Sequence, residues 1–171
     1  MFFQSIFKYC PVCGSAEFMA NNFKSKKCAD CGFVYYVNPS AATAAFILND
    51  KHELLVCRRA KDPAKGTLDL PGGFTDPNET AEEGIRREIE EEIGVAAVEV
   101  RYLFSLPNEY EYKGLSVPTM DLFFAAKLLN YSNICAADDV AECFFIPKEN
   151  INPADFGLQS VRKAMEMFLK E

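Results

Sequence analysis

The chain contains few of the residues that mark several common classes of protein. Its 171 residues include a single histidine, His52, and no tryptophan. Since His52 falls in a predicted hairpin turn, we do not expect an imidazole general base. No segment approaches 18 consecutive apolar residues, so no transmembrane helix is expected. The start of the sequence lacks a basic region and a small-residue cleavage site, and we therefore expect a cytoplasmic protein without a signal peptide.

The chain also lacks an excess of positive charge. It has 18 lysines and arginines against 25 acidic residues, a net charge of −7. Broad affinity for nucleic acid depends on clustered cations that contact phosphates, so the composition argues against it. Residues 1–38 are an exception, because four lysines against two acidic residues give them +2. The aromatic residues among these lysines could stack on a base, but we favour the interpretation that they pack the ribbon against the next domain.

Four of the seven cysteines occur as two matched pairs. Cys10 and Cys13 form one C-x-x-C motif, and Cys28 and Cys31 form the second after 14 intervening residues. This spacing predicts a four-cysteine structural Zn²⁺ site, which would stabilise a module too small to build a large core. Buried free thiols are the alternative. The other cysteines stand singly in apolar runs and are interpreted as core thiols; they are Cys57, Cys135 and Cys143.

A helix is predicted between Thr80 and Gly94. Thr80 and Glu83 have the spacing of a capping box, and Gly94 suits the left-handed position that ends a helix. Apolar residues recur every four positions and form a stripe that would face the core. These residues are Ala81, Ile85, Ile89 and Ile93.

Three carboxylates lie beside this stripe, at Glu88, Glu91 and Glu92. Like charges at this spacing destabilise a helix by roughly 0.2–0.5 kcal/mol per pair, which suggests that a cation neutralises them. Carboxylate oxygens suit Mg²⁺ or Mn²⁺, and Mg²⁺ is often shared with substrate phosphates. The residues therefore predict a metal-dependent phosphate site, with a solvated charged face as the alternative.

The segment 73–95 resembles the Nudix box, G-x5-E-x7-R-E-U-x-E-E-x-G-U, where U is a bulky aliphatic residue. Every fixed position agrees, at Gly73, Glu79, Arg87, Glu88, Ile89, Glu91, Glu92, Gly94 and Val95. The resemblance extends more loosely from the strand at 41–48 to the C-terminal helix. It implies an α/β fold, a Nudix α/β/α sandwich with a mixed sheet, preceded here by a small four-cysteine zinc ribbon. We expect the ribbon to span residues 1–38 and the Nudix domain residues 39–171.

The resemblance also implies the chemistry and the residues that perform it. Nudix enzymes hydrolyse a nucleoside diphosphate linked to another moiety. The implied ligands of Mg²⁺ or Mn²⁺ are Glu88, Glu91, Glu92 and the backbone carbonyl of Gly73 or Gly72. Arg87 and Glu79 are expected to pair and to orient the site. The catalytic base would be a box glutamate or Asp139, which stands where many members of the family have an extra glutamate.

The substrate is the least determined feature of the sequence. Arg58 and Arg59 could contact phosphate or be surface charges, and Tyr110 and Tyr112, in a predicted loop, could hold an adenine or lie in a homodimer interface. A ribbon before a Nudix domain is similar to the NADH pyrophosphatase group. The segment Ser105–Pro107 shares only two residues with that group's S-Q-P-W-P-F-P motif. We therefore expect ADP-ribose or a related ADP-linked metabolite, with NAD(H) as the alternative. A ligand-sensing or RNA-binding regulator is the alternative from another class.

Overall fold

The computed structural model describes residues 6–170. Contacts divide these residues into two units, one made of residues 6–39 and 109–118 and the other of residues 40–108 and 119–170. In the first unit, a three-stranded antiparallel sheet has the order β1-β2-β3. Its strands are β1 (Phe18–Asn22), β2 (Ser25–Cys28) and β3 (Val34–Tyr36).

The second unit contains two three-stranded sheets and two helices. The first sheet has the order β4-β8-β7 and is mixed, because β4 (Ser40–Ile47) runs parallel to β8 (Leu115–Leu128). Strand β7 (Ala97–Tyr112) reaches β8 through a two-residue turn at Lys113 and Gly114, both with positive φ. The second sheet has the order β6-β5-β9. Its strands are β5 (Leu54–Arg59), β6 (Leu68–Asp69) and β9 (Val140–Ile146).

Helix α1 (Ala81–Ile93) and helix α2 (Gln159–Phe168) pack on opposite faces of these strands. Side chains along β4 alternate between the two faces of the sheet. Ala44 and Phe46 pack in the hydrophobic cluster with α2, and Ala45 and Ile47 pack in the cluster with α1. Strands β5 and β8 alternate in the same way. Strands between two helical layers give the expected α/β/α sandwich. Within residues 6–170, no helix has the length and apolarity needed to cross a membrane.

The predicted hairpin between β4 and β5 is only partly formed. A single antiparallel bridge joins Leu48 to Leu54, and the two strands then enter different sheets. Each strand is apolar on both faces, and its alternate residues pack in the α1 core and in the α2 core. Strands buried on both faces belong in the middle of a layered sheet rather than in an isolated two-stranded hairpin. His52 lies in the turn with a positive φ of 61°.

Candidate metal and phosphate site

Helix α1 begins and ends as its sequence predicts. The Thr80 hydroxyl accepts a hydrogen bond from the Glu83 backbone N–H, and the Glu83 carboxylate accepts one from the Thr80 N–H. Gly94 closes the helix with φ of 71° and donates its N–H to the Glu90 carbonyl. The buried stripe of Ile85, Ile89 and Ile93 then fixes the rotation of the helix. That rotation determines where the three glutamates lie.

The glutamates occupy three different environments. Glu92 is buried, with 8% of its surface exposed, and its Oε2 accepts the Gly72 backbone N–H at 2.9 Å. Glu88 is mostly buried against Gly73, whose missing side chain leaves the space that the Glu88 carboxylate fills. A Cβ on Gly73 would lie 2.6 Å from that carboxyl carbon. The Glu91 side chain is half exposed. Two of the three carboxylates therefore meet the loop that carries Gly72 and Gly73.

Arg87 is the organising cation of this cluster. Its Nε and Nη2 donate to the two oxygens of Glu79 at 3.2 and 2.8 Å, and its Nη1 donates to Glu88 and Glu91, both at 2.9 Å. The second Nη2 hydrogen bond goes to the Phe74 carbonyl at 3.0 Å. All five N–H donors of the guanidinium are thus used. The structure shows the expected pairing with Glu79 and adds direct contacts to two glutamates.

The charges of the cluster follow from burial and from Arg87. Desolvation raises the pKa of Glu92 to about 9 against the opposing Gly72 N–H bond, and nearby Asp69 and Glu88 add to the rise. Desolvation also raises the pKa of Glu88, although Arg87 opposes this. The hydrogen bond from Arg87 instead lowers the pKa of Glu79. Without a cation, Glu92 is a buried carboxylate that favours its neutral form.

The three glutamates are not gathered around a single point. Within residues 6–170, the four ribbon cysteines are the one group of at least three metal-binding side chains with all ligand atoms within 4.8 Å. Arg87 draws Glu88 and Glu91 towards itself, while Glu92 turns to Gly72. The Gly73 carbonyl, an expected ligand, accepts the Thr43 N–H at 2.7 Å and the Thr43 hydroxyl at 3.3 Å. Gly72 offers the alternative carbonyl.

The two candidate phosphate-binding arginines have protein partners. Arg58 donates to Glu142 at 2.6 Å and to the Gly66 carbonyl at 2.9 Å. Arg59 is mostly buried and pairs with Asp69, with 2.6 Å between Nη1 and Oδ2. Desolvation raises the pKa of Asp69, and Arg59 opposes this. Asp69 is a buried charge close to Glu92 that the sequence pattern did not single out.

Asp138 and Asp139 both lie beside Lys61, and Asp138 also acts electrostatically on Glu88. Asp139 forms an exposed ion pair with Lys61, whose pKa it raises. Asp138 is among the charges that raise the pKa of Glu88. It adopts a positive φ of 50°, which follows from the tight turn before β9. Two adjacent aspartates give no signal in the sequence that would distinguish them, so the backbone decides which one acts on Glu88.

The predicted loop around Tyr110 and Tyr112 is wrong, because these residues lie in strand β7. The strand runs to Tyr112 because the turn signal is at Lys113 and Gly114 rather than at Asn108. Tyr110 is half-buried and Tyr112 is 52% exposed. Both belong to the part of the hairpin grouped with the first unit. The tyrosines are therefore held in extended backbone that pairs with β8, rather than in a loop.

The four ribbon cysteines converge as a metal site requires. The Sγ atoms of Cys10 and Cys31 lie 3.7 Å apart, and those of Cys13 and Cys28 lie 3.6 Å apart. Tetrahedral Zn²⁺ with bonds of about 2.3 Å separates its sulfurs by about 3.8 Å, so the spacing fits. The Cys31 backbone N–H lowers the pKa of Cys28 to about 7. Desolvation opposes this shift, and the Asp30 backbone N–H adds to it. Four thiols at this spacing are compatible with structural zinc.

Comparisons with known proteins agree with this geometry. A family model described as NUDIX domain matches residues 38–166. The NAD-capped RNA hydrolase NudC of Chromobacterium violaceum is 34% identical over 98 residues, which cover 57% of this chain and 36% of that protein. The ADP-ribose pyrophosphatase of Methanocaldococcus jannaschii is 42% identical over 60 residues, or 35% of each protein. The matched region thus spans about a third of these relatives.

The fold has a counterpart among solved structures. A NUDIX hydrolase from Nitrosomonas europaea superimposes with a TM-score of 0.74 at 23% identity, covering 96% of this chain and 91% of that one. An identity this low supports the fold alone. The family match, by contrast, covers most of the chain and includes the helix and loop described above. The chain therefore belongs to the NUDIX domain family.

Proposed function

We propose that this hydrolase cleaves the pyrophosphate of an ADP-linked metabolite, with ADP-ribose as the first candidate. Nudix hydrolases use divalent metal ions, and Glu88, Glu91 and Glu92 are the proposed ligands of Mg²⁺ or Mn²⁺. The observation that carries the proposal is the position of Glu88 and Glu92 against the Gly72–Gly73 loop. It brings two carboxylates against a loop that also carries the candidate backbone carbonyls, and oxygen ligands of this kind are what these ions prefer.

Glu92 also fits a cation on energetic grounds. A buried carboxylate whose pKa is raised to about 9 by desolvation gains most from a neighbouring positive charge. Glu88, Glu91 and Glu92 would hold the divalent ions, which would supply activation of the attacking water and stabilisation of phosphate charge. The Gly72 N–H holds one Glu92 oxygen and leaves the other for a ligand. Arg87, held by Glu79, positions Glu88 and Glu91 without needing to touch the substrate.

A carboxylate remains the proposed base. Asp139 is the sequence-based candidate outside the box, and its carboxylate pairs with Lys61. Asp138 is a second candidate, because its contact with Lys61 is the longer of the two, at 3.9 Å, and it is among the charges that raise the pKa of Glu88. A box glutamate is the remaining alternative. Arg58 and Arg59 are proposed as phosphate contacts only if substrate displaces Glu142 or Asp69 from them.

The choice of an ADP-linked substrate rests on two observations. Strand β7 presents Tyr110 and Tyr112, whose rings could stack on adenine. The two relatives named above act on ADP-ribose and on NAD-capped RNA, and both compounds contain an ADP half. NAD(H), or an NAD-capped RNA end, is therefore the second candidate. It is favoured by the similarity to the NAD-capped RNA hydrolase and by the positive charge of the ribbon. The departure from the NADH pyrophosphatase motif at Ser105–Pro107 places it second.

A substrate panel tests the proposal. Zinc-loaded protein with Mg²⁺ or Mn²⁺ would be given ADP-ribose, NADH, NAD-capped RNA and a pyrimidine-diphosphate sugar, with released monophosphate as the readout. We expect the highest kcat/KM with ADP-ribose and at least a 10²-fold loss of kcat in Glu91→Gln, because that substitution removes ligand charge but keeps the size of the side chain. A preference for the pyrimidine sugar would contradict the ADP assignment, and a fully active Glu91→Gln would contradict the metal ligands.

The tyrosines allow a separate test of base recognition. Tyr112→Ala and Tyr110→Ala should each raise KM for ADP-ribose by roughly 10-fold, equivalent to about 1–3 kcal/mol of stacking. kcat should change little, because a stacked base is bound equally in the ground and transition states. Tyr→Phe at either position is the matched control and should behave like the wild type. Equal effects on the pyrimidine sugar would show that these rings do not recognise adenine.

A further inference from the structure

A pair of thiols lies opposite each other in the second sheet, outside the glutamate cluster. Cys57 of β5 and Cys143 of β9 are direct partners in the antiparallel ladder, and their Sγ atoms lie 3.3 Å apart. Cys57 is buried, with 2% of its surface exposed, while Cys143 is half-buried. Both belong to the core on the α1 side, which also contains Ile85 and Ile89. Neither belongs to the four-cysteine cluster of the ribbon.

The backbone already has the geometry that a disulfide needs. Directly paired residues in an antiparallel ladder have Cα atoms about 4.5–5.5 Å apart, within the roughly 4.4–6.8 Å range of disulfides. An S–S bond is about 2.05 Å long, so the two sulfurs need to approach by little more than 1 Å. Since the strands are in register, this approach can come from side-chain rotation. Two thiols placed only for packing would have no need to face each other.

We propose that Cys57 and Cys143 form a reversible oxidation site, which closes a disulfide between β5 and β9 when the protein meets a peroxide. The half-buried Cys143 thiol attacks one peroxide oxygen, which gives a sulfenic acid and releases the first water. The Cys57 sulfur then attacks the Cys143 sulfur, and the hydroxyl leaves with the Cys57 proton as a second water. The two thiols lose two electrons and two protons, and one hydrogen peroxide becomes two waters. A dithiol reductant reverses the reaction by thiol–disulfide exchange.

Placement explains what the bond would do. The two cysteines are separated by 86 positions in the chain, so the disulfide would close a long loop of the unfolded protein. It would also fasten the strands against which helix α1 packs. Because the native strands hardly move, the main effect should be on unfolding. For a chain of this length we expect the melting temperature to rise on the order of 5–10 °C.

Peptide mapping tests the proposal directly. Trypsin releases Cys57 on the peptide 52–58 and Cys143 on the peptide 128–148, which also contains the exposed Cys135. The experiment is therefore done in a Cys135→Ser background, with zinc-loaded protein and about one equivalent of hydrogen peroxide. Remaining thiols are alkylated before digestion. Ribbon cysteines fall on other peptides, so their oxidation is recognised separately, and zinc content is measured in the same samples.

The expected result is a crosslink of the two peptides that has lost two hydrogens and disappears with dithiothreitol. Thermal melts before and after oxidation should show the rise in melting temperature. Cys57→Ala is the matched control, in which one equivalent of peroxide should take Cys143 only to the sulfenic acid, and the melting temperature should not rise. Should that variant fail to fold, the oxidised and reduced Cys135→Ser proteins supply the comparison alone. Cys57 that stays fully alkylatable after denaturation of the peroxide-treated protein would overturn the proposal. None of these readouts depends on the substrate or on catalysis.

Discussion

Gly73→Ala should separate catalytic activity from stability, because of what its new methyl group would meet. The added Cβ would lie 2.6 Å from the Glu88 carboxyl carbon, where ordinary contact needs 3.4 Å or more. The obstructing atoms are at the end of a flexible side chain, so the carboxylate can retreat by roughly 1 Å at little cost in folding energy. That retreat would pull Glu88 away from Arg87 and from the proposed metal position. A misplacement of this size costs on the order of 10²-fold in kcat.

The assay compares kcat at saturating Mg²⁺ with the melting temperature of the same preparation. We expect the loss in kcat with a change in melting temperature of only a few degrees. Gly72→Ala is the contrasting control, because its Cβ would lie 2.1 Å from the Thr43 backbone oxygen, which cannot move aside. That variant should be clearly destabilised. Wild-type kcat in Gly73→Ala, or a loss of activity that merely follows unfolding, would refute the reasoning.

Three further predictions concern charge and metal. Glu92 holds its proton more tightly in the folded than in the unfolded protein, so metal-free stability should fall as the pH rises from about 4.5 towards about 9. Thermal melts in a chelator should show this slope in the wild type and a flatter one in Glu92→Gln. Metal analysis should find about one zinc per chain in the wild type and none in Cys10→Ser or Cys31→Ser. Both variants should still bind Mn²⁺ at helix α1. A zinc-free wild type with a protease-resistant ribbon would contradict this. Asp138→Asn should lower kcat by about 10²-fold or more, as the loss of a general base does, whereas kcat of Asp139→Asn should stay within a few-fold of the wild type. If instead Asp139→Asn loses kcat and the basic limb of the pH–rate profile, Asp139 is the base.

Local signals in the sequence were sufficient for helix α1 and for the ribbon cysteines. The capping box, the left-handed Gly94 and the four-residue stripe each depend on neighbours along the chain, and the structure shows all three. The two C-x-x-C motifs likewise predict their own convergence. The family fold was reached through the Nudix box rather than through the strand pattern, because a mixed sheet depends on pairings between distant segments. The parallel pairing of β4 with β8 is such a case.

Features that depend on distant contacts were beyond the sequence. The segment at Tyr110 was predicted as a loop because its polar residues resemble turn signals, but pairing with β8 keeps it extended. Arg86 is half-buried and donates to the Ala97 carbonyl, a long-range contact that the helical pattern did not indicate. The sequence also suggested that the three glutamates need a metal cation for neutrality. Arg87, from the same helix, already neutralises part of that charge.

The full use of the five Arg87 N–H donors has a consequence for the protein without divalent metal. Because Arg87 holds Glu79, Glu88 and Glu91 together, helix α1 carries its own counter-charge for two of its three box glutamates. A lysine could not replace it, since an ammonium has three donors where the arrangement uses five. Helix α1 should therefore stay folded when divalent ions are scarce, and an ion that returns would meet carboxylates that Arg87 already positions. The ribbon is the opposite case if zinc is its ligand, because a small module draws much of its stability from the metal and should lose its structure when zinc is withdrawn.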